Sequence, residues 1–227
     1  MKQYLDFSDS RHNNGCILCG GYPDSRDHIP ARTFLNKPYP SNLNVLPVCT
    51  LCNNGFSQDE EYVSFLVRYL KYLESGDEND YLGIEKFSHA DILEERILNG
   101  LCNKKDKLNP TMFINIEADR IKNILNKYAF AHFCFERGEH PNREETQIKF
   151  AFVNQLTDDQ IKLYNEIPYS KILPEVGCRL FQRVIENGDS WMIVQDGNYR
   201  YYVAQNQPYV KIVISEFLFG EIIFNDS

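Results

Sequence analysis

Cys16-Ile17-Leu18-Cys19-Gly20-Gly21 and Cys49-Thr50-Leu51-Cys52-Asn53-Asn54-Gly55 carry two Cys-x-x-Cys pairs with 29 residues between them. Four thiolates at such a spacing form the soft tetrahedral set that Zn²⁺ takes in structural sites. The Gly and Asn residues beside each pair let the backbone turn, so that amide hydrogens can face the sulfurs. The other cysteines, Cys102, Cys134 and Cys178, stand alone, and seven is an odd number. A secreted disulfide framework would be smaller and would leave no such remainder. A structural zinc held by Cys16, Cys19, Cys49 and Cys52 would staple a segment that has few long apolar runs of its own.

Between and beside the pairs lie Asp27-His28-Ile29-Pro30, then Asn44, then Asn53 directly after the fourth cysteine. Each residue type has an ordinary structural use. A histidine packs or caps, and an asparagine caps a helix or holds a turn. Taken together with the flanking cysteines, the pattern resembles the HNH endonuclease family, over about a quarter of the chain from Cys16 to about Glu61. The resemblance implies a ββα-metal core, a short hairpin followed by a helix around one divalent cation, which two Cys-x-x-Cys pairs staple in many members.

Carried over position by position, the resemblance makes His28 the general base for the attacking water, a task that suits an imidazole of near-neutral pKa. Asp27 matches the carboxylate that ligates the catalytic metal. Asn44 matches the middle Asn, which fixes the loop and helps orient the base. The last motif position is His in the eponymous pattern and Asn53 here, which makes this an HNN-type variant. Carboxylate and amide oxygens are hard ligands, so a catalytic Mg²⁺ or Mn²⁺ is expected at Asp27 and Asn53, apart from the structural Zn²⁺. Arg26 and Arg32 flank the motif and are the expected phosphate contacts, because a guanidinium presents a planar fork to phosphate oxygens.

The activity so implied is metal-dependent hydrolysis of DNA phosphodiester bonds, in a restriction or phage-defence setting. Two alternatives stand beside it: a zinc-stabilised binding module whose nuclease site is inactive, and an RNA-directed nuclease. A homodimer or a regulatory protein partner is also expected, because the chain is acidic. It has 24 Lys and Arg against 32 Asp and Glu, a net charge of −8. A field of that sign repels a polyanion and excludes avid nonspecific binding to nucleic acid. Residues 1–60 are nearly neutral, with five basic and six acidic groups. The small basic loop of Lys104, Lys105 and Lys107, and Arg11 and His12, are secondary phosphate candidates.

With 227 residues, 43% of them apolar and 25% charged, the composition is that of a globular chain able to bury roughly 70% of its unfolded surface. No run approaches the ~20 apolar residues of a membrane span, and the first eleven residues lack the apolar core of a signal peptide. A soluble cytoplasmic protein without membrane contact is expected.

The expected fold is α+β: a ββα-metal core with a four-cysteine structural zinc, then helices, then a mainly antiparallel sheet. Residues 1–75 form the nuclease domain, 76–115 a connector and 116–227 an accessory domain. Ser57 and Glu60 read as the capping box of a helix running to about Glu74. Apolar periodicity predicts further helices over 91–99 and 118–137, and 158–165 reads as a short helix. Strands are expected at 148–153, 179–185, 191–194, 199–203, 209–214 and 217–224, with Asn187-Gly188 and Asp196-Gly197 as hairpin turns. The tyrosines at 199, 201, 202 and 209 suit sheet core or an interface equally.

Overall fold

The two Cys-x-x-Cys knuckles bracket a β-hairpin in the computed structural model, which describes residues 15–41, 43–77, 87, 89–100 and 116–225. Arg11, His12, Cys102 and the Lys104–Lys107 loop lie outside the described residues, as does most of 76–115. Strand β1 (Ser25–Ile29) pairs antiparallel with β2 (Asn44–Val48), Asp27 opposite Leu46 and His28 opposite Val45. A 3-10 turn, Arg32–Phe34, sits in the connection and buries Phe34 in the core. β2 delivers Cys49, whose sulfur caps α1 (Thr50–Gly55) by accepting from the Cys52 amide at 3.4 Å.

α2 (Ser57–Ser75) follows after a single residue, Phe56, and ends at Gly76 in the left-handed conformation. The expected capping box does not form. Phe56 holds the N-cap position, the Ser57 hydroxyl donates back to the Asn54 carbonyl, and Glu60 turns inward. With α1 running almost directly into α2, the Ser57 hydroxyl has a carbonyl of the preceding turn within reach.

α3 (Ala90–Gly100) packs on α2. α4 (Ala118–Arg137) is the central element: 12 of its 20 residues are buried, and it lies against α2 on one side and against β5, β6 and β7 on the other. The second half then runs β3 (Thr146–Phe152), α5 (Asp158–Asn165), α6 (Arg179–Asn187), β4 (Met192–Gln195), β5 (Tyr199–Val203), β6 (Tyr209–Ile214) and β7 (Leu218–Phe224). The five strands form one antiparallel sheet in the order β3-β7-β6-β5-β4. Gly220 on β7 meets α4 closely, since a Cβ there would stand 2.8 Å from Leu125 Cδ2.

One expected strand is a helix. Residues 179–185 form most of α6, which Cys178 caps by accepting from the Phe181 amide at 3.3 Å. Leu180 and Arg183 share the inward face at helical spacing, and Arg183 pairs with buried Glu136 of α4 at 2.6 Å. Asn187-Gly188 is therefore a helix stop, with Gly188 at φ 74°, and not a hairpin turn. Among the described residues no helix is long and apolar enough to cross a membrane.

Candidate metal centre and the adjoining hairpin

The first knuckle closes through the Cys16 amide donating to the Gly21 carbonyl at 2.6 Å and the Gly20 amide to the Cys16 carbonyl at 2.7 Å, with Gly20 at φ 75°. The Ile17 amide donates to the Pro47 carbonyl at 3.0 Å, which fastens this knuckle to β2 and so to the second one. The sulfurs of Cys16, Cys19, Cys49 and Cys52 consequently lie within 4.8 Å of one another, and those of Cys19 and Cys49 are 3.8 Å apart. A tetrahedral zinc tetrathiolate with bonds of about 2.3 Å needs sulfur–sulfur separations of about 3.8 Å. The four cysteines thus fit a zinc-like ion without rearrangement of the hairpin. Burial pushes the Cys16 thiol up, but the backbone amides of Cys49, Leu18 and Cys19 outweigh it and hold the thiol at about 7. Burial pushes the Cys52 thiol the other way, well above its ordinary value, so the four sulfurs do not share this thiolate character without a metal.

Arg143 is half-buried and close enough to this cluster to feel the charge of Cys16 and Cys52. Its guanidinium lies 5.3 Å from the Phe56 ring and 5.8 Å from the Phe130 ring. Burial lowers its pKa, while Cys52, Cys134 and Cys16 raise it. A zinc tetrathiolate would carry two net negative charges, which this guanidinium would partly offset.

Beside the cysteines, Asp24 accepts from both the Thr50 amide (2.6 Å) and the Thr50 hydroxyl (3.1 Å), and these bonds hold its carboxyl below the usual range. That locks the first turn of α1 against the start of β1. Asn53, one turn along, donates its Nδ2 to Ser25 Oγ at 2.9 Å and to the Arg26 carbonyl at 3.3 Å. The residue after the fourth cysteine is thereby set against the strand that bears Asp27 and His28.

The neighbouring side chains divide between two environments. His28 is half-buried, and its Nε2 lies 3.1 Å from Arg32 Nη2. A guanidinium only donates, so Nε2 is the acceptor and the ring proton of the neutral imidazole sits on Nδ1. Burial and then the Arg32 charge lower the His28 pKa, against an opposing pull from Asp27. Arg32 is exposed and also lies 5.5 Å from the Tyr39 ring; Arg26 is exposed on the same strand as His28. Asn44 is half-buried at the start of β2, opposite Ile29.

Asp27 is buried, and its Oδ2 lies 2.6 Å from Lys127 Nζ of α4 without a hydrogen-bond alignment. Lys127 is fully buried and donates to Glu60 Oε1 at 2.6 Å. Glu60 also accepts from the Tyr128 hydroxyl at 2.9 Å; burial raises its carboxyl pKa, and Lys127 counters this. Sequence reasoning did not single out Lys127, Tyr128 or the inward role of Glu60. A signal existed: Lys127 lies between Ile124 and Ala131 on the apolar face of the 118–137 periodicity, where a lysine needs a buried partner.

Comparisons with family models, with curated proteins and with solved structures return no match to this chain.

Proposed function

We propose that the chain is an HNH-type endonuclease that hydrolyses DNA phosphodiester bonds with a hard divalent cation, Mg²⁺ or Mn²⁺. The observation that carries the reading is the pair of hydrogen bonds from Asn53 of α1 to β1. These two bonds, to Ser25 and Arg26, put Asn53 beside the Asp27-His28 dipeptide, through a hairpin held by four metal-competent cysteines. Its amide nitrogen is engaged on β1, which leaves the carbonyl oxygen as the atom for a cation. Asp27 would supply a carboxylate oxygen, and the two together are a donor set suited to Mg²⁺ or Mn²⁺. When bound, such a cation would stabilise charge on the phosphate oxygens and on the leaving 3′ oxygen.

The remaining roles fall to the chain's own side chains. The lone pair on His28 Nε2 takes the proton from the attacking water once Arg32 releases it. Arg32, exposed and one hydrogen bond from that nitrogen, moves to a phosphate oxygen, where Arg26 joins it. Asn44 steadies the strand opposite the base. With a net charge of −8, binding depends on these local cations and on the metal, or on a partner or second copy that supplies affinity.

Cleavage of supercoiled plasmid tests the reading. With zinc-loaded protein and added Mg²⁺ or Mn²⁺, nicked or linear product is expected. His28→Ala should abolish it at unchanged zinc content, and Asn53→Ala should lower it with partial recovery at raised Mn²⁺. No cleavage of duplex DNA, single-stranded DNA or RNA by zinc-loaded wild type would reject the nuclease in favour of a zinc-stabilised binding module. Cleavage of RNA alone would keep the chemistry and change the substrate.

A further inference from the structure

The strand end that carries His28 is gripped on both sides by two consecutive residues of α4. On one side Asp27 Oδ2 lies 2.6 Å from Lys127 Nζ; on the other the Ala31 amide donates to the Tyr128 hydroxyl at 3.2 Å. Both grips meet at Glu60 Oε1, 2.6 Å from Lys127 Nζ and 2.9 Å from the Tyr128 hydroxyl. The same ammonium stands 4.9 Å from the centre of the Phe56 ring, three residues beyond Asn53. Lys127 therefore touches both segments that bear the proposed metal ligands, yet it is fully buried and out of reach of a substrate.

Stability alone gives little reason for this arrangement. Two carboxylates and one ammonium are taken out of water, at an effective cost of several kcal/mol per ion, and well-packed apolar residues commonly serve a core equally well. A ligand carboxylate has a different need: its second oxygen must be fixed for the first to meet a metal in one geometry. We propose that Lys127 is a positioning residue for Asp27. Supplied by the helix that links the two halves of the chain, it fixes the carboxylate that receives the divalent cation and makes the site depend on the docking of α4. The inference rests on the nuclease reading above.

The test is calorimetric titration of Mn²⁺ into the zinc-loaded full-length chain, with zinc content and the thermal midpoint as controls of folding. Wild type is expected to bind one Mn²⁺, and Asp27→Asn to lose it. The double variant E60Q/K127M keeps the formal charge of the cluster at one negative and removes the grip on Asp27. Loss of such an outer partner should weaken Mn²⁺ binding by about 10–100-fold, with a matching rise in the Mn²⁺ needed for half-maximal cleavage. Unchanged binding would make Lys127 merely the counter-ion of Glu60, and tighter binding would make it a competitor of the metal; either overturns the proposal while leaving the nuclease intact. If that double variant does not fold, E60Q/K127Q takes its place: it keeps the same formal charge and polar side chains at both positions while removing the ammonium from Asp27, so the same loss of about 10–100-fold is expected and unchanged binding again overturns the proposal. Wild type that neither binds Mn²⁺ nor cleaves overturns the nuclease reading, and the role of Lys127 with it.

Discussion

Arg32 caps the one lone pair with which His28 could act as a base, and its charge is the second cause, after burial, of the lowered imidazole pKa. Arg32→Ala removes that cause, so the His28 pKa should rise toward the ordinary 6.5. Imidazole chemical shifts, followed against pH in zinc-loaded protein without added Mg²⁺, check this; an unchanged pKa would mean the guanidinium does not rest on Nε2. His132 shows the same direction in a purely structural setting. It is fully buried, with Nε2 2.9 Å from the Tyr199 hydroxyl and its ring stacked on Tyr201 at 3.6 Å. Burial, then the Arg183 charge, holds its pKa well below 6.5. Below about pH 6.5 the unfolded chain binds a proton that folded His132 refuses. Stability should therefore fall as the pH drops from about 7 toward 5, with a slope of up to roughly 1.4 kcal/mol per pH unit from this group. Urea midpoints across that range should fall less steeply in His132→Phe, which also leaves the Tyr199 hydroxyl unpartnered at every pH. An unchanged slope would show that another group carries the dependence.

At the scale of elements, the cysteine knuckles are where sequence and structure agree most closely. Cys-x-x-Cys spacing specifies sulfur positions over three residues, and the hairpin between the pairs only has to bring two such units together. The purified chain should accordingly carry one zinc, measured by metal analysis. Cys52→Ser should lose it and drop out of the folded state at about 37 °C, because metal binding supplies folding energy to a segment that has few long apolar runs of its own. A Cys52→Ser protein that keeps its zinc and its hairpin would show that the four sulfurs do not act as a set. Helix 118–137 was legible because its apolar residues recur at the helical period over several turns. Residues 179–185 were not, because Leu-Phe and Val-Ile pairs with two polar residues between them suit a short strand as well as a helix. What decides is tertiary: Cys178 capping the Phe181 amide, and Arg183 reaching Glu136. The proposed site draws on both kinds of signal. Asp27, His28, Asn44, Asn53, Arg26 and Arg32 are local to one hairpin, whereas Lys127 and Tyr128 arrive from about 100 residues away in sequence, on a helix that reads as ordinary core.

Over the whole molecule, the division into residues 1–75 and 116–227 expected from the sequence meets a junction that is neither small nor loose. α4 contributes Lys127 and Tyr128 to the hairpin side, with Arg120 2.6 Å from Asp59 of α2, and contributes His132 and Glu136 to the sheet side. A second link runs round the other edge. The Asn36 amide donates to Gln195 Oε1 at 2.8 Å, Gln195 Nε2 donates to the Asn36 carbonyl at 2.8 Å, and Asn36 Nδ2 donates to Asn198 Oδ1 at 3.0 Å. The turn between β4 and β5 thus holds the loop between β1 and β2. Because α4 supplies buried charge to one half and core to the other, neither half should keep its packing without it. The single tryptophan, Trp191, lies beside β4 with its Nε1 donating to the Asn165 carbonyl at 3.0 Å, and so reports on the sheet side. Zinc release, read with a colorimetric chelator, reports on the hairpin. On heating, tryptophan fluorescence and zinc release should share one midpoint, as a cooperative unit requires. Gln195→Ala, which removes two of these three bonds, should move both midpoints down together by a few degrees, as the loss of roughly 1 kcal/mol of hydrogen bonding does in a chain of this size. Two separate midpoints, with zinc leaving first while Trp191 stays native, would make the hairpin an independent domain, and the coupling through Lys127 would then have no route from α4 to the proposed site.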